Sequence, residues 1–453
     1  MSELDCMDSL VLRNGLIINE GKRFHADILV RNGKIERIGQ IPADVKASRE
    51  IDLAGKLVLP GLIDDQVHFR EPGLTHKATI ESEARAAVAG GVTSFMEMPN
   101  TNPPATTIEE LELKYARAAQ TSVANYSFFF GATNSNLEIL KTVDASKVCG
   151  VKVFMGSSTG DMLVDQATTL EGIFKHSPTL IATHCEDTPM IKAAEAAAKS
   201  KWGEDVPASE HPIIRSVDAC YASSSLAVSL AKKHGARLHV LHITTAKELS
   251  LFSAEPLSKK RITAEVCVHH LWFSDKDYAT LGHKIKCNPA IKTAQDRAAV
   301  REAVNQGVID VIATDHAPHT AEEKTQKYFK APSGLPLVQH SLLVLLDLVD
   351  QGVFSLEKTV ERACHAPAVL FGVENRGFIR EGYWADLVVV DPKKPFTVNK
   401  GNILYQCGWS PLEGHTFKNT IHQTFVNGVS VYENGKVNHA SRGMRLSFNG
   451  NRR

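Results

Sequence analysis

Gly61-Leu62-Ile63-Asp64-Asp65-Gln66-Val67-His68-Phe69-Arg70 is an apolar run that turns polar toward its C-terminal end. Side chains alternate along a strand, so Gln66, His68 and Arg70 share one face. Seven further β-rich runs follow: Val92–Met98, Asn125–Phe130, Val148–Met155, Leu180–His184, Arg237–Ile243, Arg261–Cys267 and Val308–Thr314. Helix-like stretches separate them, among them Glu81–Ala89 closed by Gly90-Gly91, Ala194–Ala198, and Ala219–Lys233 closed by Gly235. Strands alternating with helices in this number predict an α/β fold, a (β/α)8 TIM barrel over 61–370. A barrel of this kind carries its chemistry at the C-terminal ends of the strands. The runs end accordingly: the first in Gln66, His68 and Arg70, the second in Asn100, the fifth in His184, the sixth in His242, the eighth in Asp315-His316.

Both chain ends have another texture. Leu10–Ile18 and Ala26–Ile35 alternate around Asn-Gly turns, the strongest short-range hairpin signal. The pattern returns in Ala385–Val390 and Gln423–Tyr432. One small β-sandwich domain assembled from 1–60 and 371–453 is the simplest account.

Composition narrows the function classes. The 453 residues carry 51 basic and 51 acidic side chains, so no charge excess favours a nucleic-acid or anionic membrane surface. Met1-Ser2-Glu3-Leu4-Asp5 is acidic without an apolar leader, and no apolar run reaches the ~18 residues of a membrane span. Eight scattered cysteines with no C-x-x-C pair read as buried thiols of a reducing, cytoplasmic protein. Lys259-Lys260-Arg261 reads as solvated surface, and the polar stretch His316–Lys330 as a lid able to close over a ligand.

His68, His184, His242 and Asp315, all at strand ends, could converge on one metal; imidazoles with carboxylates at a barrel mouth suit zinc. Lys152 lies inside the apolar run Gly150–Met155, where an amine is costly unless paired or chemically changed. A guanidinium at Arg70, beside such a site, suits an anion.

Pro60–Gly73, Met98-Pro99-Asn100-Thr101-Asn102-Pro103, Thr314-Asp315-His316-Ala317-Pro318-His319 and Trp409-Ser410-Pro411-Leu412-Glu413-Gly414 together resemble the dihydroorotases of the cyclic amidohydrolase superfamily, along essentially the whole chain. The resemblance implies one or two Zn2+, with a carboxylated Lys152 as the bridging ligand. His68 and Asp315 would bind the first metal, and His184 and His242 the second. It also implies that Arg70, Asn100 and His319 hold the substrate carboxylate, and that Asn288 and the backbone at Gly334 hold the ring amide. The implied reaction is the reversible cyclisation of N-carbamoyl-L-aspartate to L-dihydroorotate, through metal-activated water and Asp315 as acid and base; the implied assembly is a homodimer. One position departs from the pattern. D-x-H-x-H here has Gln66 for its first histidine, a weak or absent ligand, so the first metal position should be weakened or rearranged around His68, Lys152 and Asp315. Two alternatives stand: an allantoinase- or hydantoinase-type hydrolase of cyclic ureides, and an inactive scaffold subunit, for which Gln66 is the only support.

Overall fold

The structure, a computed structural model, describes residues 9–156 and 162–449. Met1–Asp5, read above for a leader, lies outside them.

Eight parallel strands form the barrel: β1 (Leu62–Val67), β2 (Val92–Glu97), β3 (Asn125–Phe128), β4 (Val151–Phe154), β5 (Ile181–His184), β6 (Leu238–Val240), β7 (Ile262–Cys267) and β8 (Val311–Ala313). Each lies inside one of the expected runs. Neighbours pair in chain order, with Phe130–Gly131, just beyond β3, carrying the ladder to β4. A parallel bridge between Val67 and His316 closes the ring, and the His68 N–H donates to the His316 carbonyl at 2.7 Å. The strands are short because the chain leaves the ladder where the polar residues begin. Lys152 is the second residue of β4 and His184 the last of β5, while His242 and Asp315 lie just past β6 and β8.

The intervening helices start and stop where local chemistry dictates. Thr79 and Ser82 cap Ile80–Ala89 reciprocally; Ser216 caps Val217–His234, which Gly235 ends in the left-handed region. The alanine-rich segment lies in the helix Thr188–Trp202.

Strands from both chain ends belong to one hydrogen-bonded sheet of nine strands. Leu57–Pro60 pairs with Ser9–Asn19 on one side and with Leu387–Asp391 on the other, so the N- and C-terminal halves meet there. Leu12, Ile17, Val58, Leu387, Val389 and Phe425 share its core. Between the C-terminal strands the chain returns to the barrel: the Tyr405 hydroxyl lies 3.1 Å from His340 Nδ1, and Trp409 Nε1 donates to the His319 carbonyl at 2.8 Å.

Two expectations are corrected here. Lys260 is buried, not solvated, because its Nζ reaches Asp310 at 2.8 Å and the Gly307 carbonyl at 2.7 Å. His316–Lys330, expected to be free to close, is held by buried bonds in this structure. Buried Lys324 donates to the carbonyls of Lys286, Pro332 and Gly334 at 2.8–3.0 Å, and the Tyr328 hydroxyl meets His211 Nδ1 at 2.7 Å. A lysine that satisfies its donors on two backbone segments, at Lys286 and at Pro332–Gly334, holds both in place.

Candidate active site

Every residue singled out from the sequence lines one cavity of about 300 Å³ at the C-terminal mouth of the barrel: Gln66, His68, Arg70, Asn100, Lys152, His184, His242, Asn288, Asp315, His319 and Gly334. Phe154 and Arg215 join them.

The metal-type side chains form two pairs. His184 Nδ1 lies 3.1 Å from His242 Nε2, and His68 Nε2 lies 3.1 Å from Asp315 Oδ1. Among the described residues neither pair has a third His, Cys, Asp or Glu ligand atom within 4.8 Å of both members. The electrostatic influence of Lys152 reaches all four members, so the lysine is the group the two pairs have in common. It is 1% exposed, its Nζ sits 4.6 Å from the Phe154 ring centroid, and burial brings its pKa down to about 8.

Proton assignments orient the first pair. Arg215 and His184 hold Glu186 down to about 2 against its burial, so the carboxylate is ionised. It accepts the His184 Nε2–H at 2.7 Å, which leaves Nδ1 with its lone pair toward His242. Burial keeps both imidazoles neutral, and His242 Nδ1 is buried without a hydrogen bond. A carboxylate–histidine arrangement with a free lone pair aimed at a second imidazole is what a zinc ligand pair requires. At the second pair, Asn100 Oδ1 takes the His68 Nδ1–H at 2.8 Å, so His68 Nε2 faces the Asp315 carboxylate. Two acceptors this close need a proton or a cation between them.

Gln66 has left the ligand position. Its amide Nε2 donates to Asp315 Oδ1 at 3.2 Å, and its Oε1 is 3.7 Å from the Cys267 thiol. We expect Gln66→His to raise zinc bound per chain and to tighten binding by about tenfold or more, a change of ~1.4 kcal/mol. Metal analysis of dialysed protein checks it; unchanged content would show that Gln66 does not limit the site.

Three of the ten left-handed non-glycine residues among those described line the cavity. Arg70, His242 and Asp315 have φ of 67°, 42° and 47°. Left-handed backbone at such residues costs about 1–3 kcal/mol each and persists where the surroundings impose it. Asp64 supplies part of that force: its carboxylate accepts from Thr314 Oγ1 at 2.6 Å and Thr314 N at 3.2 Å, so it orients the chain entering Asp315 rather than a histidine. Gly73 lets the loop after β1 touch the loop after β2, since a Cβ there would lie 2.0 Å from the Asn102 carbonyl. Arg70 and Asn100, on those two loops, both line the cavity. At Gly334, with φ of 137°, a Cβ would lie 3.0 Å from His319 Nε2.

Arg70 is buried, and no carboxylate among the described residues forms an ion pair with it. Its Nε donates to the Pro318 carbonyl at 3.0 Å, and its Nη2 lies 3.0 Å from His319 Nε2. Burial holds His319 neutral; it approaches the Ser333 carbonyl with Nε2 and Lys77 with Nδ1, each at 3.0 Å, so it cannot neutralise the guanidinium. The nearby Glu323 pairs with Lys77 instead, at 3.0 Å. Burial depresses Arg70 to about 10, still charged at neutral pH. A cation desolvated without a partner is an anion receptor in waiting.

These features, a barrel mouth with paired imidazoles, an Asp and a lysine in the strand, meet the sequence comparison at one point. Residues 57–431 match the amidohydrolase family. The chain belongs to that family. Among its relatives, dihydroorotase from Halobacterium salinarum is 34% identical over 91% of this chain and 96% of the relative. Dihydroorotase from Pyrococcus furiosus is 31% identical over 98% and 97%. In the solved structures, L-hydantoinase (dihydropyrimidinase) from Arthrobacter aurescens superposes with a TM-score of 0.90 at 28% identity, covering 95% of this chain and 98% of that one. Dihydropyrimidinase from Brevibacillus agri, at 23% identity and a TM-score of 0.88, shares the fold.

Within this amidohydrolase, Glu186, Arg215 and Lys324 escaped the sequence reading. Glu186 follows His184 by two residues, a spacing that could have marked it; Arg215 and Lys324 carry no local signal. The C-terminal Trp409-Ser410-Pro411 motif gains a structural role, since Trp409 anchors the His319 backbone. Trp409→Phe keeps an aromatic ring of smaller size and removes one buried donor, about 0.5–1.5 kcal/mol for the bond alone. We expect KM to rise about two- to tenfold with kcat nearly unchanged; steady-state kinetics check the split.

Proposed function

We propose that this amidohydrolase is a dihydroorotase that interconverts L-dihydroorotate and N-carbamoyl-L-aspartate. The carrying observation is Arg70, a buried guanidinium with no carboxylate partner among the described residues, in the same cavity as the two ligand pairs. A substrate with a carboxylate beside a hydrolysable ring amide satisfies both; hydantoins and allantoin lack that carboxylate.

His184 and His242 would hold one zinc and His68 with Asp315 a weaker second, bridged by carboxylated Lys152. Carboxylation joins CO2 to the neutral amine and releases a proton, and an amine at about 8 is partly neutral near pH 7. Zinc so held supplies a water of lowered pKa and polarises the ring carbonyl. Arg70, Asn100 and His319 grip the carboxylate, and Asn288 with the backbone at Gly334 orients the ring amide. Burial pushes Asp315 up, but His68, His269 and Lys152 together hold it below the usual carboxylate range, so it is ionised. It accepts the proton of the attacking water as the C–O bond forms, then delivers it to the ring nitrogen as the C–N bond breaks. In the other direction the carbamoyl nitrogen attacks the carboxyl carbon and water departs.

The reading places the enzyme in the cytoplasm. Its support is that the seven described cysteines are free thiols, six of them buried. No described helix is long and apolar enough to cross a membrane. The chain ends, 1–60 and 371–453, would serve as one β-rich unit beside the catalytic barrel of 61–370.

The test is an assay of zinc-loaded protein on L-dihydroorotate, hydantoin, dihydrouracil and allantoin. Turnover of dihydroorotate at least about 100-fold above the others in kcat/KM is expected, a margin of ~2.7 kcal/mol. Preference for hydantoin or dihydrouracil would assign the chain to the hydantoinase type that the Arthrobacter structure represents. No turnover of any of the four would leave the scaffold reading.

A further inference from the structure

Asp65 on β1, His239 on β6 and Glu265 on β7 meet inside the barrel, each with no exposed surface. Their ligand atoms all lie within 4.8 Å of one another. His239 Nε2 is 3.2 Å from Asp65 Oδ2 and 3.6 Å from Glu265 Oε2. None of these atoms makes a well-directed hydrogen bond, and neither does Asp65 Oδ1. Four unsatisfied polar atoms at the centre of a packed barrel are costly unless something sits among them.

The proton inventory says what that is. The Thr263 hydroxyl donates to the Leu238 carbonyl at 3.2 Å, so it accepts from His239 Nδ1 at 2.8 Å. Nδ1 therefore donates its proton outward, and Nε2 faces the two carboxylates. One ring nitrogen and two carboxyl groups converge, all of them buried. A positive charge is required, either as protons or as a metal ion.

We infer that Asp65, His239 and Glu265 form a second, interior site for a zinc-like divalent cation, separate from the cavity at the barrel mouth. Zinc bonds of about 2.1 Å in tetrahedral array separate ligand atoms by about 3.4 Å, and the two measured separations of 3.2 and 3.6 Å bracket that value. An imidazolium, which the two carboxylates would favour by raising the ring to about 9 against its burial, would have to donate its Nε2–H to oxygens at 3.2 and 3.6 Å that lie out of line with it. One imidazole and two carboxylates are a borderline donor set that suits zinc, with manganese or iron(II) the nearest competitors. The ion would also act on the cavity above. Glu265 Oε1 accepts the His242 N–H at 3.1 Å and the Cys267 thiol at 3.5 Å, so clamping Glu265 fixes the backbone of His242 at its strained φ.

Anomalous diffraction at the zinc edge, on crystals of the wild-type chain grown with zinc, tests the site without requiring any variant to fold. We expect a peak about 2.0–2.2 Å from Asp65, His239 Nε2 and Glu265. Asp65→Asn should lose that peak and keep the one between His184 and His242; His184→Asn should do the reverse. Absence of an interior peak in the wild type would overturn the inference and leave shared protons as what holds the cluster. An interior peak with an empty mouth would instead count against the metal chemistry proposed for the cavity.

Discussion

Asp315→Asn should lower kcat for dihydroorotate hydrolysis by about 10³-fold, within the range that a lost general acid–base confers. KM should change by less than about threefold, a shift of ~0.65 kcal/mol. The substitution is chosen to leave the architecture alone. Asn is nearly isosteric with Asp and, glycine aside, is among the residues that best tolerate the left-handed region, where Asp315 has φ of 47°. Its side-chain oxygen can still accept from Gln66, which now donates to Asp315 at 3.2 Å. What it cannot do is hold the travelling proton, or give His68 Nε2 a charged neighbour at 3.1 Å. Zinc content must be measured beside the kinetics, because the amide is also a poorer ligand. Activity within tenfold of wild type at equal zinc content would remove Asp315 from the proton path.

The barrel and the cavity rim are legible in the sequence for one physical reason. A parallel strand buried on both faces must be apolar until it ends, so a polar residue terminating such a run announces the rim. His184, His242 and Asp315 are marked in that way, and Lys152 is marked more strongly by the charge it places inside a run. The less visible features all depend on partners distant in sequence. Glu186 gains its meaning from Arg215, Lys324 from three carbonyls on two segments, and Lys260 from Asp310. His316–Lys330 is polar, as a lid would be, yet its polar groups are spent on fixed internal bonds. Composition could not distinguish those two uses. Asp65 is the sharpest case: within the motif it reads as a spacer between Asp64 and Gln66, and only the closed ring brings it to His239 and Glu265.

The strained backbone also separates what is fixed from what is free to vary. Thr314, held by Asp64, fixes the entry to Asp315, and Glu265 fixes His242. Arg70 is fixed by the contact between two rim loops and by the Pro318 carbonyl. In the proposed reaction the three left-handed residues of the cavity would take three parts, namely proton transfer, zinc ligation and anion binding, each anchored by a different buried support.

Arg70→Ala follows from that division and separates the candidate substrates. Removing one member of a buried charge pair costs about 2–5 kcal/mol, so KM for dihydroorotate should rise by about 10²-fold or more. The loss should fall on binding, since Arg70 reaches the His319–Pro318 segment rather than the reacting carbonyl. Arg70→Lys restores the charge without the planar fork that grips two oxygens at once, and should recover only part of the affinity. The decisive comparison is with dihydrouracil, which offers the ring amide without the carboxylate. Its kcat/KM, low in the wild type, should stay within about threefold in both variants, a shift of ~0.65 kcal/mol, so discrimination between the two substrates collapses toward unity. An equal fall on both substrates would mean that Arg70 supports the loop and not the anion. The guanidinium's lack of a protein carboxylate partner would then have a structural cause, and the case for dihydroorotate over the hydantoins would lose its physical basis.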